Sequence, residues 1–172
     1  MPATVLRGNT GTVRGPCHQP KEANMSYTED RIAQMRRLID DHGWTVIGVF
    51  PTEPTDGPPF SYTVGLTDRG LPELAIYGLE PRAAGGVLNV VARLAINAGE
   101  FARGQRLDGL LAGGLPLAVI EMNDTTDMTG VRALYGAVLA AQQIVWPDPD
   151  GRMPWENGSL GPVQPLKGDH PA

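Results

Sequence analysis

The chain has 172 residues, a net charge of −5, 41% hydrophobic and 19% charged residues, which fits one globular domain with a single core. An acidic body argues against nucleic acid as a partner, because phosphate binding needs a clustered basic face. The one cysteine, Cys17, excludes an intrachain disulfide and a thiol-based metal cluster, and no apolar run reaches the roughly 18 residues of a membrane span. A reducing cytoplasm is therefore the expected compartment, with no membrane partner.

Residues 1–24 hold Gly8, Gly11, Gly15, Pro2, Pro16 and Pro20 and almost no aliphatic pattern, so they are expected to form a disordered N-terminal extension. Met25 follows at once and is the expected biological start. Ser26-Tyr27-Thr28-Glu29 has the form of a capping box and predicts a helix start. Ile32, Met35, Leu38 and Ile39 then recur at spacings of three and four, on one helical face, until Gly43 ends the pattern. Residues 44–50, rich in β-branched and aromatic side chains, predict a first strand. The proline-rich stretch 51–59 is a loop.

Strands follow over 60–66 and 73–79, separated by a connection short enough to favour antiparallel pairing. Glu80-Pro81 opens a second helix whose stripe is Val87, Leu88, Val91, Leu94, Ala95 and Ala98, with Gly99 at its end and Gly85-Gly86 weakening its first turns. Further strands are predicted near 106–111, over 115–122 and over 143–146, and a third helix over 129–141 behind the capping residues 123–127. The order α-β-β-β-α-β-β-α-β implies an α+β fold, a mostly antiparallel sheet of five to six strands with three helices packed on it. A single domain is expected over 25–156, followed by an irregular tail over 157–172.

Several of these stretches carry a resemblance. His42-Gly43-Trp44, the run from Phe60 to Thr67, Leu71-Pro72-Glu73-Leu74, Gln143-Ile144-Val145-Trp146-Pro147-Asp148 with Gly151, and Pro154-Trp155 occur in an order that resembles the DUF4262 family, a domain of unknown function. The resemblance spans residues 30–156. It implies a small bacterial cytosolic domain without an assigned activity, and therefore transfers no catalytic residues.

The strongest candidate chemistry lies in Ser61-Tyr62-Thr63-Val64-Gly65-Leu66-Thr67. Strand alternation places Ser61, Thr63, Gly65 and Thr67 on one face, where hydroxyls can bind phosphate or carboxylate oxygens and glycine permits close approach. The alternative is a solvated face of a half-buried strand. Trp146 and Trp155 are candidates for an aromatic wall, or for docking the C-terminal segment. His42, behind a helix C-terminus, is a weak catalytic candidate, with Asp148, Asp150 and Glu156 as carboxylates that could serve acid-base work or merely build turns.

With one histidine in the body, no metal site is expected. No cofactor is expected either, although the hydroxyl-bearing strand is loosely similar to those of flavin-reductase split barrels, making a split-barrel variant binding FMN an alternative, with Arg69 and Arg82 as the nearby cations. The leading expectation is a domain that binds a small molecule or protein partner through the face bearing Ser61, Thr63, Gly65 and Thr67. Its rivals are an enzyme, flavin-dependent or using His42 with carboxylates, and a homodimer formed through a sheet edge.

Overall fold

The computed structural model describes residues 27–53, 57–161 and 164–171. The expected extension 1–24, Cys17, the Met25 start and the Ser26 cap lie outside these residues. Helix α1 spans Glu29–His42 and is capped by Thr28, whose hydroxyl accepts the Arg31 N–H at 3.3 Å. Glu29 and Asp30 in its first turn and His42 in its last oppose the helix dipole favourably. Met35 and Ile39 are buried as their spacing predicts, whereas Leu38 is exposed. Gly43 closes the helix at φ 89°, donating its N–H to Ile39 O.

Strand β1 (Thr45–Val49), β2 (Phe60–Val64) and β3 (Glu73–Tyr77) follow, then helix α2 (Pro81–Ala98), β4 (Arg106–Leu107), β5 (Leu117–Glu121), helix α3 (Thr129–Tyr135) and β6 (Ala141–Val145). The six strands form one sheet in the order β1-β2-β3-β6-β5-β4. All neighbours pair antiparallel except β3 and β6, which are parallel. The fold is thus α+β with a mixed, mostly antiparallel sheet. The sheet stays open, with β1 and β4 as its edges, so the split-barrel variant does not form.

Alternation along the strands divides the core in two. Leu74, Ile76, Leu117, Val119 and Ile144 face α2, packing on Leu88, Val91, Ala92 and Ala95. Tyr62, Val64, Ala75 and Tyr77 face the other way, against Met35 and Ile39 of α1 and Val131 of α3. Beside them Ala118, Ile120, Val145 and Met153 form a smaller cluster under Trp155 and Leu166. Helix α3 is shorter than its periodicity predicts, because Gly136 at φ 82° turns the chain and caps it onto Arg132 O.

The second strand also ends early. Gly65 adopts φ 124°, and the chain leaves β2 for a 3₁₀ turn at Leu66–Arg69. Leu66 consequently joins the α2 side of the core, although simple alternation places it with Tyr62 and Val64. A Cβ on Gly65 would lie 2.9 Å from Trp44 Cα and 3.1 Å from Gly43 O, both backbone atoms.

The two kinds of glycine predict opposite effects. Gly65→Ala combines a backbone strain with a clash that side-chain motion cannot relieve, and is expected to cost about 3 kcal/mol or more. Gly86→Ala, in the interior of α2 with open space around its Cβ, is expected to stabilise by about 0.5–1 kcal/mol. Urea midpoints of the two variants read both signs; a neutral Gly65→Ala would show that the turn is not constrained as described.

Candidate functional site

Glu73, the first residue of β3, is fully buried. Its carboxylate sits where the β2 to β3 connection folds back. Oε2 accepts the Thr63 hydroxyl at 2.6 Å; Oε1 accepts the Gly65 N–H at 2.9 Å, the Thr67 N–H at 3.0 Å and the Thr67 hydroxyl at 2.8 Å. Thr63 Oγ1 in turn accepts the Leu74 N–H at 2.8 Å, taking over just beyond the last paired residues of the β2–β3 ladder. Three of the four residues on the expected polar face, Thr63, Gly65 and Thr67, are thus engaged by a carboxylate of the chain itself. Ser61, the fourth, is buried beside Gly48, its partner on β1, with no hydrogen-bond partner for its hydroxyl among the described residues.

Desolvation raises the Glu73 carboxyl above its ordinary value, while the four donors oppose the rise. The reading of this face as solvated strand surface does not hold, since Ser61 and Thr63 are both fully buried. The missed residue is Glu73. Its signal in the sequence was a lone acid opening an otherwise apolar strand.

At this same end of the sheet an open concavity of about 520 Å³ lies between β1 and α2, lined by His42, Trp44, Thr45, Val46, Asn89 and Arg93. His42 reaches it from the last turn of α1, and Asn89 and Arg93 lie one helical turn apart on α2. The Trp44 indole N–H donates to Asn89 Oδ1 at 2.9 Å, which turns the Asn89 NH₂ group free to donate elsewhere. Arg93 forms no ion pair among the described residues, and none of the six lining residues is acidic. Gly65 packs directly behind Trp44, so the Glu73 cradle supports the wall of the concavity.

The other predicted site residues are elsewhere. Since β1 and β6 both run parallel to β3, His42, ahead of β1, lies at the Glu73 end, and Asp148, after β6, lies at the opposite end. Asp148 is buried and accepts the N–H groups of Asp150, Arg152 and Leu160, which hold its carboxyl below the usual range. Asp150 pairs with Arg152, and Glu156 with Arg106. These carboxylates build the loop after β6 and do not converge on His42. Trp146 packs on the α2 side and donates its indole N–H to Tyr77 O, whereas Trp155 stacks on His170 across the opposite face. The two indoles form no common wall.

A flavin phosphate does not fit the hydroxyl-bearing turn. Its donors already hold the Glu73 carboxylate, and Arg69 lies by Gly43 at one end of β2, while Arg82 follows Pro81 at the other. Among the described residues no group of three or more His, Cys, Asp or Glu side chains is placed to hold a metal ion, and no helix is long and apolar enough to cross a membrane.

Comparison with known proteins bears on the same region. The model of the family described as Domain of unknown function (DUF4262) matches residues 38–160. The chain belongs to the DUF4262 family. No curated protein and no solved structure matches it. The match takes in both the Glu73 cradle and all six residues of the concavity, so in this DUF4262 chain the two features lie within the family body.

Glu73→Ala leaves four donors without an acceptor and is expected to cost about 3 kcal/mol or more, read by urea denaturation. Glu73→Gln keeps one acceptor oxygen and tests the charge. Because the folded value is raised above the unfolded 4.5, the stability it contributes is fully present below the unfolded value and is lost as pH rises through the folded one. Glu73→Gln is therefore expected to cost less relative to wild type at about pH 8 than at about pH 4. Equal costs at both would contradict this assignment.

Proposed function

We propose that this DUF4262 chain is a binding domain that takes a small anionic molecule, bearing a carboxylate or phosphate group, in the concavity between β1 and α2. The observation that carries the reading is the donor-rich lining: the Arg93 guanidinium, the Asn89 NH₂ group oriented by Trp44, and the His42 imidazole surround one hollow without an acid among them. A guanidinium and an amide donor are suited to the two oxygens of a carboxylate or phosphate edge. The exposed part of Trp44 supplies an apolar wall for the body of the ligand. On a chain of net charge −5, such a patch also focuses anions locally.

In this reading Thr63, Gly65 and Thr67 serve the ligand indirectly. The bonds of Thr63, Gly65 and Thr67 to Glu73 and the packing of Gly65 on Trp44 fix the wall behind the hollow, while Ser61 is buried in the strand ahead of them. A cytosolic setting, with metabolite anions at hand, belongs to the same proposal.

Native mass spectrometry of protein purified without added ligand is expected to show a retained small molecule. Calorimetric titration with inorganic phosphate and with benzoate then tests the class directly. Arg93→Ala is expected to weaken the bound probe by about tenfold or more, corresponding to one charge-assisted hydrogen-bonding group, with an unchanged urea midpoint because Arg93 is exposed. Failure of both probes to bind, or binding indifferent to Arg93→Ala, overturns the proposal.

A further inference from the structure

The segment 164–171 has no regular secondary structure, yet it is held like a bound peptide. Gln143, fully buried on β6, reads its backbone with both ends of one amide: Nε2 donates to Pro165 O at 2.8 Å and Oε1 accepts the Lys167 N–H at 2.8 Å. Lys167 O then accepts the N–H groups of Asn123 and Asp124. Between these anchors Leu166 packs into the cluster formed by Ala118, Ile120, Val145 and Met153. The Lys167 ammonium lies 2.8 Å from Asp127 and 3.1 Å from Asp124, and 5.6 Å over the Tyr77 ring, whose hydroxyl also bonds Asp127.

Main-chain bonds supply affinity for an extended segment, while side-chain pockets supply selectivity. Here the first pocket is apolar and the second is built for an ammonium, by two carboxylates and an aromatic face. Gln143, Asp124, Asp127 and Tyr77 all lie inside the matched region 38–160, whereas the segment that fills the groove lies outside it. We propose that this groove is a peptide-binding site, occupied in the resting chain by its own residues 164–168, and that its exchange partner is an extended segment of another protein bearing a lysine directly after an apolar residue.

The tether explains how such a site stays closed. A segment joined by a short linker faces its groove at an effective concentration of about millimolar, so a free peptide competes only when the internal segment is weakened. Removing the ammonium from the chain's own segment therefore opens the groove while leaving its walls intact. This site is on the opposite face of the sheet from α2 and its concavity, and the proposal does not depend on the anion reading.

A fluorescently labelled peptide of sequence Gln-Pro-Leu-Lys-Gly-Asp-His, matching residues 164–170, is titrated into the full chain and followed by anisotropy. Lys167→Ala protein is expected to bind it at least about tenfold more tightly than wild type. Binding is expected to fall about tenfold when the peptide lysine is replaced by alanine, or when Asp127→Asn is added to the protein. Gln164→Ala, which cuts the segment's bonds to the Trp146 backbone, opens the groove from its other end and supplies the same test should Lys167→Ala fail to fold. No binding to either folded, loosened variant overturns the proposal, as does equal binding of the lysine-free peptide. A concentration-dependent dimer of the wild-type chain, abolished by Asp127→Asn without any peptide capture, would overturn it in favour of a second copy as the occupant.

Discussion

A single buried carboxylate organises one end of this molecule. Burying an ion costs several kcal/mol unless its lone pairs are met, and Glu73 is met four times by two hydroxyls and two backbone amides drawn from five consecutive residues. Those donors converge only if the chain stops being a strand at Val64 and turns at Gly65. The φ of 124° at Gly65 is thus the geometric condition of the cradle. The same turn sends Leu66 to the α2 side of the core and sets Gly65 against Trp44, so the carboxylate, the strand end and the wall of the concavity are one construction.

The parallel pairing of β3 with β6 governs where everything else falls. Parallel neighbours need a long crossover, and here α2, β4, β5 and α3 all lie between the two strands. This places the loop after β6 at the far end of the sheet from the loop before β1. Asp148 and His42 are kept apart by that topology, whatever their side chains could do together. Asp148 instead gathers three backbone N–H groups of its own loop, the usual work of an aspartate in a tight turn.

Much of the fold was legible because it is written in local periodicity. The centres of the α1 and α2 stripes, the capping glycines at 43 and 99, and the order of nine main elements follow from spacing and turn residues alone, although Leu38, Leu94 and Ala98, expected in those stripes, are exposed. The sequence marks Ser61, Thr63, Gly65 and Thr67 as a polar strand face for an outside ligand, whereas Thr63, Gly65 and Thr67 hold a carboxylate of the chain itself and Ser61 does not join them. That occupant was not legible, because Glu73 lies on another strand and strand pairing is a long-range property. The parallel β3–β6 pair was missed for the same reason. The hold of residues 164–171 on the sheet was not legible, because it comes from the polar contacts of Gln143, Gln164 and Lys167 and from one apolar residue, Leu166, which leave no repeat.

One strand joins the two proposed sites. Glu73 stands at the start of β3 and supports the concavity; Tyr77 stands at its end, with its hydroxyl on Asp127 and its ring beneath Lys167. The five residues from Glu73 to Tyr77 span roughly 13 Å, and all five are buried. A strand so enclosed offers no second arrangement by which occupancy at one end could be reported at the other. Perturbations of the Glu73 cradle and of the Lys167 latch should accordingly add in free energy, as they do for sites more than about 7–10 Å apart without shared partners. The sheet thus keeps the two proposed sites independent, the one basic and open, the other acidic and covered by the chain's own residues 164–168.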